Sequence, residues 1–339
     1  MSISAFISGC EGPSLSAAER KFFAASRPWG LILFARNVEN PGQVRALVEE
    51  FRAAVGRADA PVFIDQEGGR VQRMGPPHWR AYPPAMRLAE LFETDRPRAL
   101  KAARLVTWLL GTELRDVGIN ADCLPVLDVP AADGHEIIGD RAYGRDALTV
   151  IALARAAMEG LKAASVAPVI KHIPGHGRAR ADSHEELPVV EAPLEELRRV
   201  DFAPFAAFAD APMAMTAHVV YAAVDADAPA THSRKVTGGI IRGELGFDGL
   251  LMSDDLNMQA LSGSLGSRGE KALAAGCDVL LHCSGVLAEM EEVAGVSGPL
   301  EGAAARRARA AEAVMNAPAA QGLDKGEAEA LLAELMAGS

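Results

Sequence analysis

The chain has 339 residues, of which 49% are hydrophobic and 23% charged, so it can bury a large core and lacks the composition of a disordered protein. Its formal net charge is -11 and its basic residues form only short pairs such as Arg198-Arg199, which argues against an extended nucleic-acid surface. It has no basic start followed by a long apolar stretch and no apolar run of about eighteen residues, so we expect no membrane contact and a cytoplasmic location.

Short apolar runs alternate with longer amphipathic segments along most of the chain. Eight short runs predict strands, over residues 3–8, 30–34, 61–64, 119–123, 167–170, 214–216, 249–252 and 278–281. Seven amphipathic segments predict helices, over residues 16–25 (with Ser16 as N-cap), 41–55, 96–117, 146–163, 194–209, 233–245 and 268–275. Such sustained alternation of strand and helix indicates a parallel sheet.

The last part of the chain differs in pattern from the rest. From Gly302 on it is rich in Ala, Glu and Arg, which predicts helix, with a break near Gln321-Gly322. No low-complexity linker or shift of composition divides the chain. We therefore expect one barrel domain over residues 1–300 and a C-terminal helical extension over residues 301–339 packed on the barrel.

Polar residues at predicted strand ends favour a barrel over a doubly wound sheet. Asp65, Lys171, His218 and Asp254 each follow a different predicted strand. In a (β/α)8 barrel the carboxyl ends of the strands converge on one face and form the active site. A doubly wound sheet usually carries Gly-x-Gly-x-x-Gly after its first strand, and residues 9–13 do not fit that pattern. The predicted fold is therefore an α/β, single-domain (β/α)8 TIM-like barrel.

The densest group of reactive side chains follows the predicted strand 167–170. Within fourteen residues the chain places Lys171, His172, His176, Asp182 and His184. A carboxylate such as Asp182, bonded to one ring nitrogen of His184, would fix the tautomer and leave the other nitrogen to transfer a proton. The segment predicts an active-site loop with an acid-base pair. The alternative is a local turn with an exposed histidine.

Asp254 lies where the predicted strand 249–252 meets its loop. Successive side chains of a strand alternate in direction, so only one of Asp254 and Asp255 can face a given atom. The carboxylate could serve as a nucleophile, a metal ligand or a helix cap.

The remaining polar residues suit a ligand rich in hydroxyl groups. Lys171 and His172 can donate hydrogen bonds, and Asp65 can accept them from a pair of hydroxyls. Two glycines after Asp65 predict a sharp turn that comes close to a ligand. Arg73 and Arg141 add forked donors for oxygen-rich ligands, although isolated arginines are more often surface groups.

Together these segments resemble the family 3 glycoside hydrolases, most closely the compact bacterial β-N-acetylhexosaminidases of cell-wall recycling. The matching segments are residues 30–37, 65–73, 125–129, 138–143, 171–184, 216–219 and 253–256. Their order and spacing make the resemblance highly specific. Larger family members carry a second sandwich domain with a carboxylate acid-base, whereas the compact subgroup uses an Asp-His loop.

The resemblance implies a role for each candidate residue. Asp254 would be the nucleophile and His184 the acid-base, with Asp182 as its partner. The groups that hold the amino sugar would be Asp65, Arg73, Arg141, Lys171 and His172. The enzyme would retain configuration and release terminal N-acetylglucosamine from muropeptide-type cell-wall fragments. Because His184 is neutral after giving up its proton, it repels an anionic acceptor less than a carboxylate would, so phosphorolysis is the alternative to hydrolysis.

Other protein classes share parts of this pattern. A Schiff-base aldolase would use a lysine such as Lys171, but that lysine must be desolvated and unpaired. A metal-dependent barrel hydrolase could take its ligands from His172, His176, His184 and Asp254. A non-catalytic sugar-binding module would not need an aspartate and an Asp-His loop from separate strands. The four cysteines lack Cys-x-x-Cys spacing and suit buried free thiols in a reducing compartment, so they predict no metal site. The resemblance implies a small carbohydrate as the partner and no cofactor, and we expect a monomer.

Overall fold

The structure, a computed structural model, describes residues 2–131, 134, 136–179, 183, 186–320 and 324–337. Its strands are β1 (Ser4–Ser8), β2 (Pro28–Leu33), β3 (Val62–Ile64), β4 (Gln66–Gly68), β5 (Val71–Gln72), β6 (Ala121–Asp122), β7 (Ala167–Ile173), β8 (Val189–Val190), β9 (Met213–Thr216), β10 (Val220–Tyr221), β11 (Leu250–Asp255) and β12 (Val279–His282). Its α-helices are α1 (Ala17–Ser26), α2 (Pro41–Val55), α3 (Ala85–Thr94), α4 (Arg96–Asp116), α5 (Ala147–Ala163), α6 (Leu194–Arg199), α7 (Ala203–Ala207), α8 (Leu265–Ala275), α9 (Leu287–Ser297), α10 (Gly302–Met315) and α11 (Lys325–Met336). A π-helix spans Lys235–Glu244, and short 3-10 helices span Ala35–Asn37, Gly139–Arg141 and Ala230–His232.

Eight parallel strands close into a barrel in the order β1-β12-β11-β9-β7-β6-β3-β2. Each barrel strand pairs with the barrel strands before and after it in the chain, and helical segments connect them around the outside. The predicted (β/α)8 barrel is confirmed. Since all eight strands run in the same direction, their carboxyl ends share one rim of the barrel.

Alternating side chains along the strands build two apolar layers. Ile32 and Phe63 belong to the cluster inside the barrel, whereas their chain neighbours Leu31 and Ile64 belong to the cluster between strands and helices. All four are buried, because a parallel barrel strand is covered on both faces. This double layer holds the strand ends in fixed positions.

Helix α10 packs against the inner apolar cluster of the barrel. Its residues Ala308, Ala311 and Met315 are buried in that cluster. Glu312 of the same helix accepts a 2.8 Å hydrogen bond from the indole N–H of Trp29, near the start of β2. The helix therefore covers the barrel at the amino ends of the strands. The division of the chain at residue 300 stays a prediction.

Among the described residues, we find no helix with the length and apolar character of a membrane span.

The structure departs from the predicted helices in two places, for physical reasons. The predicted helix 194–209 is broken between α6 and α7, because the buried Asp201 carboxylate accepts a hydrogen bond from Arg178 and Pro204 then begins a new helix. The predicted helix 233–245 is mostly a π-helix, which places residues five apart, such as Val236 and Ile241, together in the core. Helices α3 and α9 were not predicted.

Candidate active site

A cavity of about 180 Å³ opens at the carboxyl-end rim of the barrel. The predicted site residues on its wall are Asp65, Arg73, Arg141, Lys171, His172 and Asp254. The wall also includes apolar side chains: Ile32, Phe34, Val71, Ile137, Met215, Met258 and Leu281. The structure thus brings together six of the eight predicted site residues, while Asp182 and His184 lie outside the described residues. A mixed polar and apolar lining of this kind suits a small polar ligand with carbon faces.

Lys171 is buried between two carboxylates. Its ammonium nitrogen lies 2.8 Å from Asp65 Oδ1 and 2.7 Å from Glu67 Oε1. Burial alone would lower the pKa of Lys171, but the two carboxylates outweigh it and raise that pKa. The pKa of Asp65, which burial would raise, is held below its usual range by Lys171 and Arg73. A lysine charged and paired in this way is unsuited to Schiff-base chemistry and well suited to donating hydrogen bonds.

Glu67 is a site residue that the sequence reasoning missed. Arg141 donates two hydrogen bonds of 2.8 Å to its two carboxylate oxygens. Burial would raise the pKa of Glu67, but Arg141 and Lys171 outweigh it and lower the pKa to about 2. The available signal was the spacing of Asp65 and Glu67, since residues two apart on an extended chain share one side. Glu67 therefore fixes two cations of the cavity wall, Arg141 and Lys171.

The two glycines after Glu67 turn the β4–β5 hairpin. Gly68 and Gly69 have φ of 93° and 57°, as the predicted sharp turn requires. A Cβ on Gly68 would lie 2.5 Å from the Pro83 carbonyl oxygen, and one on Gly69 would lie 2.7 Å from Pro84 Cβ. The glycines therefore let the hairpin pack against the segment that leads into α3, and their close approach to a ligand stays a prediction.

Asp128 orients His172 and was also missed by the sequence reasoning. His172 Nδ1 lies 2.7 Å from Asp128 Oδ2, and the backbone N–H groups of His172 and His176 both donate to the same carboxylate. Burial would raise the pKa of Asp128, but His172 outweighs it and lowers the pKa. An ionised Asp128 accepts a hydrogen bond from the Nδ1–H of His172, which leaves Nε2 as the ring nitrogen that can contact a ligand.

Asp254 and Asp255 end strand β11 on the cavity wall, with different partners. Asp254 Oδ1 accepts a 2.8 Å bond from the Asp255 N–H, while Asp255 Oδ1 accepts the N–H groups of Asn257 and Cys283. Burial, together with the charge of Asp254, raises the pKa of Asp255 to about 6. His218, buried behind the strand, places Nε2 3.0 Å from the Asp255 carbonyl oxygen. His218 therefore supports the β11 backbone.

The candidate metal ligands that the structure describes do not form a cluster. Within the described ranges, no three His, Cys, Asp or Glu side chains are placed to hold one metal ion. His172 and His176 are committed to Asp128 and to Ser183, respectively. His184, the fourth residue of that hypothesis, lies outside the described residues.

Comparisons with known proteins agree with this arrangement. The glycosyl hydrolase family 3 N terminal domain matches residues 11–317. A protein named beta-hexosaminidase from Pseudomonas aeruginosa is 44% identical over 276 residues, 80% of this chain and 80% of that protein.

Solved structures are similar over nearly the whole chain. NagZ from Neisseria gonorrhoeae in complex with N-trifluoroacetyl-D-glucosamine has a TM-score of 0.83 and 31% identity, and the match covers 99% of both chains. A glycoside hydrolase family 3 β-N-acetylglucosaminidase from Paenibacillus sp. has a TM-score of 0.85 and 31% identity, with 98% of this chain covered but only 66% of that longer one. The resemblance predicted from the sequence is confirmed, and the chain belongs to glycosyl hydrolase family 3, as a glycoside hydrolase that acts on O-glycosyl bonds.

Proposed function

We propose that the protein is a retaining β-N-acetylhexosaminidase that releases terminal N-acetylglucosamine from muropeptide-type cell-wall fragments. The observation that carries the proposal is the shared cavity, in which Asp254 stands on the same wall as the Lys171 and His172 donors. The P. aeruginosa relative is named a beta-hexosaminidase, and the Neisseria protein was solved with an N-acylated glucosamine. Cell-wall recycling and a cytoplasmic location remain expectations from the sequence.

The proposed reaction proceeds in two displacements. Asp254 Oδ attacks the anomeric carbon and the bond to the leaving oxygen breaks as His184 gives that oxygen its proton. Water then attacks the same carbon, gives its proton to His184 and releases the sugar with Asp254 restored. Asp65 and Lys171 would hold hydroxyls of the sugar, because a fixed carboxylate and a fixed ammonium offer an acceptor beside a donor. Arg73 and Arg141 would bind further oxygen atoms.

Replacing the proposed nucleophile is the direct test. In Asp254→Ala the covalent step has no nucleophile, so turnover of 4-nitrophenyl N-acetyl-β-glucosaminide should fall by about 10³-fold or more. The matched control is Asp59→Ala, whose side chain is 57% exposed at the amino end of the barrel and should keep the parent rate. Activity of the Asp254 variant within about tenfold of the parent would contradict the proposal.

Phosphorolysis is the second outcome that this assay can detect. If phosphate is the acceptor, adding it should raise the rate and yield N-acetylglucosamine 1-phosphate. Hydrolysis predicts free sugar at an unchanged rate.

A further inference from the structure

Strand β11, which carries Asp254, changes its register against β12 near its carboxyl end. Met252 pairs with Val279, and the next pair in the register is Asp255 with Leu281. Between these two pairs β11 advances by three residues while β12 advances by two, so β11 holds one extra residue, as in a β-bulge. Bulges bend a strand and re-aim a side chain, and they are frequent beside active sites.

Two polar side chains of β11 bond to the backbone of β12 on either side of Asp254. Ser253 Oγ accepts the Leu281 N–H at 2.9 Å, and Asp255 Oδ1 accepts the Cys283 N–H at 3.1 Å. In a regular parallel pair, such N–H groups bond to backbone carbonyls of the neighbouring strand. The two side chains therefore replace part of the backbone ladder where the register shifts.

The end of β12 is itself anchored to the neighbouring part of the barrel. Arg36 donates from Nε to the Cys10 carbonyl at 3.0 Å, and its guanidinium also donates to the Cys283 carbonyl. The Gly9 N–H donates to the His282 carbonyl at 2.7 Å. Because β12 is held in this way, bonds to it fix the end of β11 relative to the barrel.

Asp254 is oriented by the backbone between the two bonded side chains. Its Oδ1 accepts the Asp255 N–H at 2.8 Å, and its side chain lies on the cavity wall with Lys171 and His172. A shift of the β11 backbone would move this carboxylate relative to a bound ligand. A displacement of about 1 Å can slow a reaction by about 10²-fold, because the reacting atoms must be aligned.

We propose that Ser253 and Asp255 are positioning residues, which hold the shifted end of β11 against β12 and thereby aim the Asp254 carboxylate at the anomeric carbon. The inference rests on the proposed function, in which Asp254 is the nucleophile. It gives neither positioning residue a contact with the sugar. When the bonds to β12 are lost, attack by Asp254 should slow while the groups that bind the sugar stay in place.

The experiment measures attack and sugar binding separately. The rate constant of covalent labelling by a 2-acetamido-5-fluoro glycoside reports the attack of Asp254, because labelling is the first displacement alone. The Kd for N-acetylglucosamine, measured by calorimetry, reports the state of the cavity wall. In Asp255→Ala, labelling should slow about tenfold or more, whereas this Kd should stay within about twofold of the parent value.

Two further variants separate positioning from charge and from damage to the fold. Asp255→Asn keeps an oxygen that can accept both N–H groups, so its labelling rate should stay within about twofold of the parent's. Ser253→Ala removes one bond to β12 and leaves Asp255 intact, so its labelling should slow about fivefold with an unchanged Kd. If Asp255→Ala does not fold, this second variant decides, and an unchanged labelling rate in it overturns the inference.

The matched control is Ser297→Ala, a buried serine on α9 whose hydroxyl donates to the Ala294 carbonyl at 3.1 Å. Its labelling rate and Kd should equal the parent's. Equal losses of labelling and of sugar binding in Asp255→Ala, no loss of labelling, an Asp255→Asn variant as slow as Asp255→Ala, or slowed labelling of the control would overturn the inference. A parent enzyme that is not labelled, or is labelled away from Asp254, would instead contradict the proposed function itself, and the inference with it.

Discussion

Charge at the cavity wall is determined by contacts between individual side chains. The chain is acidic overall, with a net charge of -11, yet the wall around Lys171 alternates cations and carboxylates at hydrogen-bond distance. Because Asp65 and Glu67 stay ionised, Lys171 and Arg141 keep both their charge and their orientation. A preorganised set of donors and acceptors can bind hydroxyls without rearranging at the moment of binding.

Glu67 makes this network sensitive to acid in a defined direction. Its pKa is lowered from 4.5 to about 2 in the folded protein, so its ionised form contributes stability above pH 4.5 that is lost as the pH falls toward about 2. Glu67→Gln removes that contribution. The difference in free energy of unfolding between parent and variant should therefore be largest near neutral pH and shrink on acidification, as measured by urea titrations at each pH.

The control for this experiment is Glu291→Gln, an exposed position on α9. The stability difference between this variant and the parent should be small and independent of pH. A gap for Glu67→Gln that stays constant across the acid range would contradict the assignment of an ionised, paired Glu67.

Some site residues could be predicted from the local sequence, and others could not. Lys171 and Asp254 were predictable because each interrupts an apolar run at a strand end, which is unusual for a core position. Glu67 and Asp128 were missed because their partners come from distant parts of the chain. The spacing of Asp65 and Glu67 indicates that they share one side of the chain, but only the closed barrel places Glu67 beside Lys171.

Among the elements, helix α10 links the end of the chain to the first strands. Glu312 accepts 2.8 Å hydrogen bonds from the indole of Trp29 and from the guanidinium of Arg57. Trp29 lies in β2 and Arg57 lies in the connection from α2 to β3, so α10 contacts segments that are far from it in sequence. The sequence predicted this helix but not the surface that it covers.

Removing the Glu312 carboxylate should weaken the contact between α10 and the barrel without changing the cavity at the opposite rim. Glu312→Ala should lower the free energy of unfolding by about 2 kcal/mol, since charge-assisted hydrogen bonds to a half-buried group are lost. Urea denaturation measures this, and kcat/KM at low temperature should stay at the parent value. Unchanged stability would show that α10 is held by its apolar face alone.

Local patterns were least informative where tertiary contacts break an element. The amphipathic pattern of 194–209 is continuous, yet the buried ion pair of Asp201 with Arg178 interrupts the helix. Strand β7 shows the opposite case, because it continues through Lys171 to Ile173 where the polar residues suggested an end. In both cases a buried charged side chain pairs with a residue from another part of the chain, and this tertiary contact overrides the local helix or strand propensity.

At the scale of the whole molecule, the barrel brings residues from separate strands to one cavity. Periodicity and the placement of polar residues were sufficient to predict this fold, because each barrel strand pairs with its neighbours in the chain. The same topology explains why Asp65 after β3, Lys171 in β7 and Asp254 in β11 share a wall. Family membership, established over residues 11–317, agrees with that convergence.

The most direct measurement is mass spectrometry of the protein after reaction with a slow 2-acetamido-5-fluoro glycoside. A fluorine at that position slows the release of the sugar more than its capture, so a covalent intermediate should accumulate. We expect one sugar adduct per chain, on the peptide that contains Asp254, and none in Asp254→Ala. An adduct on another residue, or turnover of this compound with no adduct at all, would contradict the assignment of Asp254 as the nucleophile.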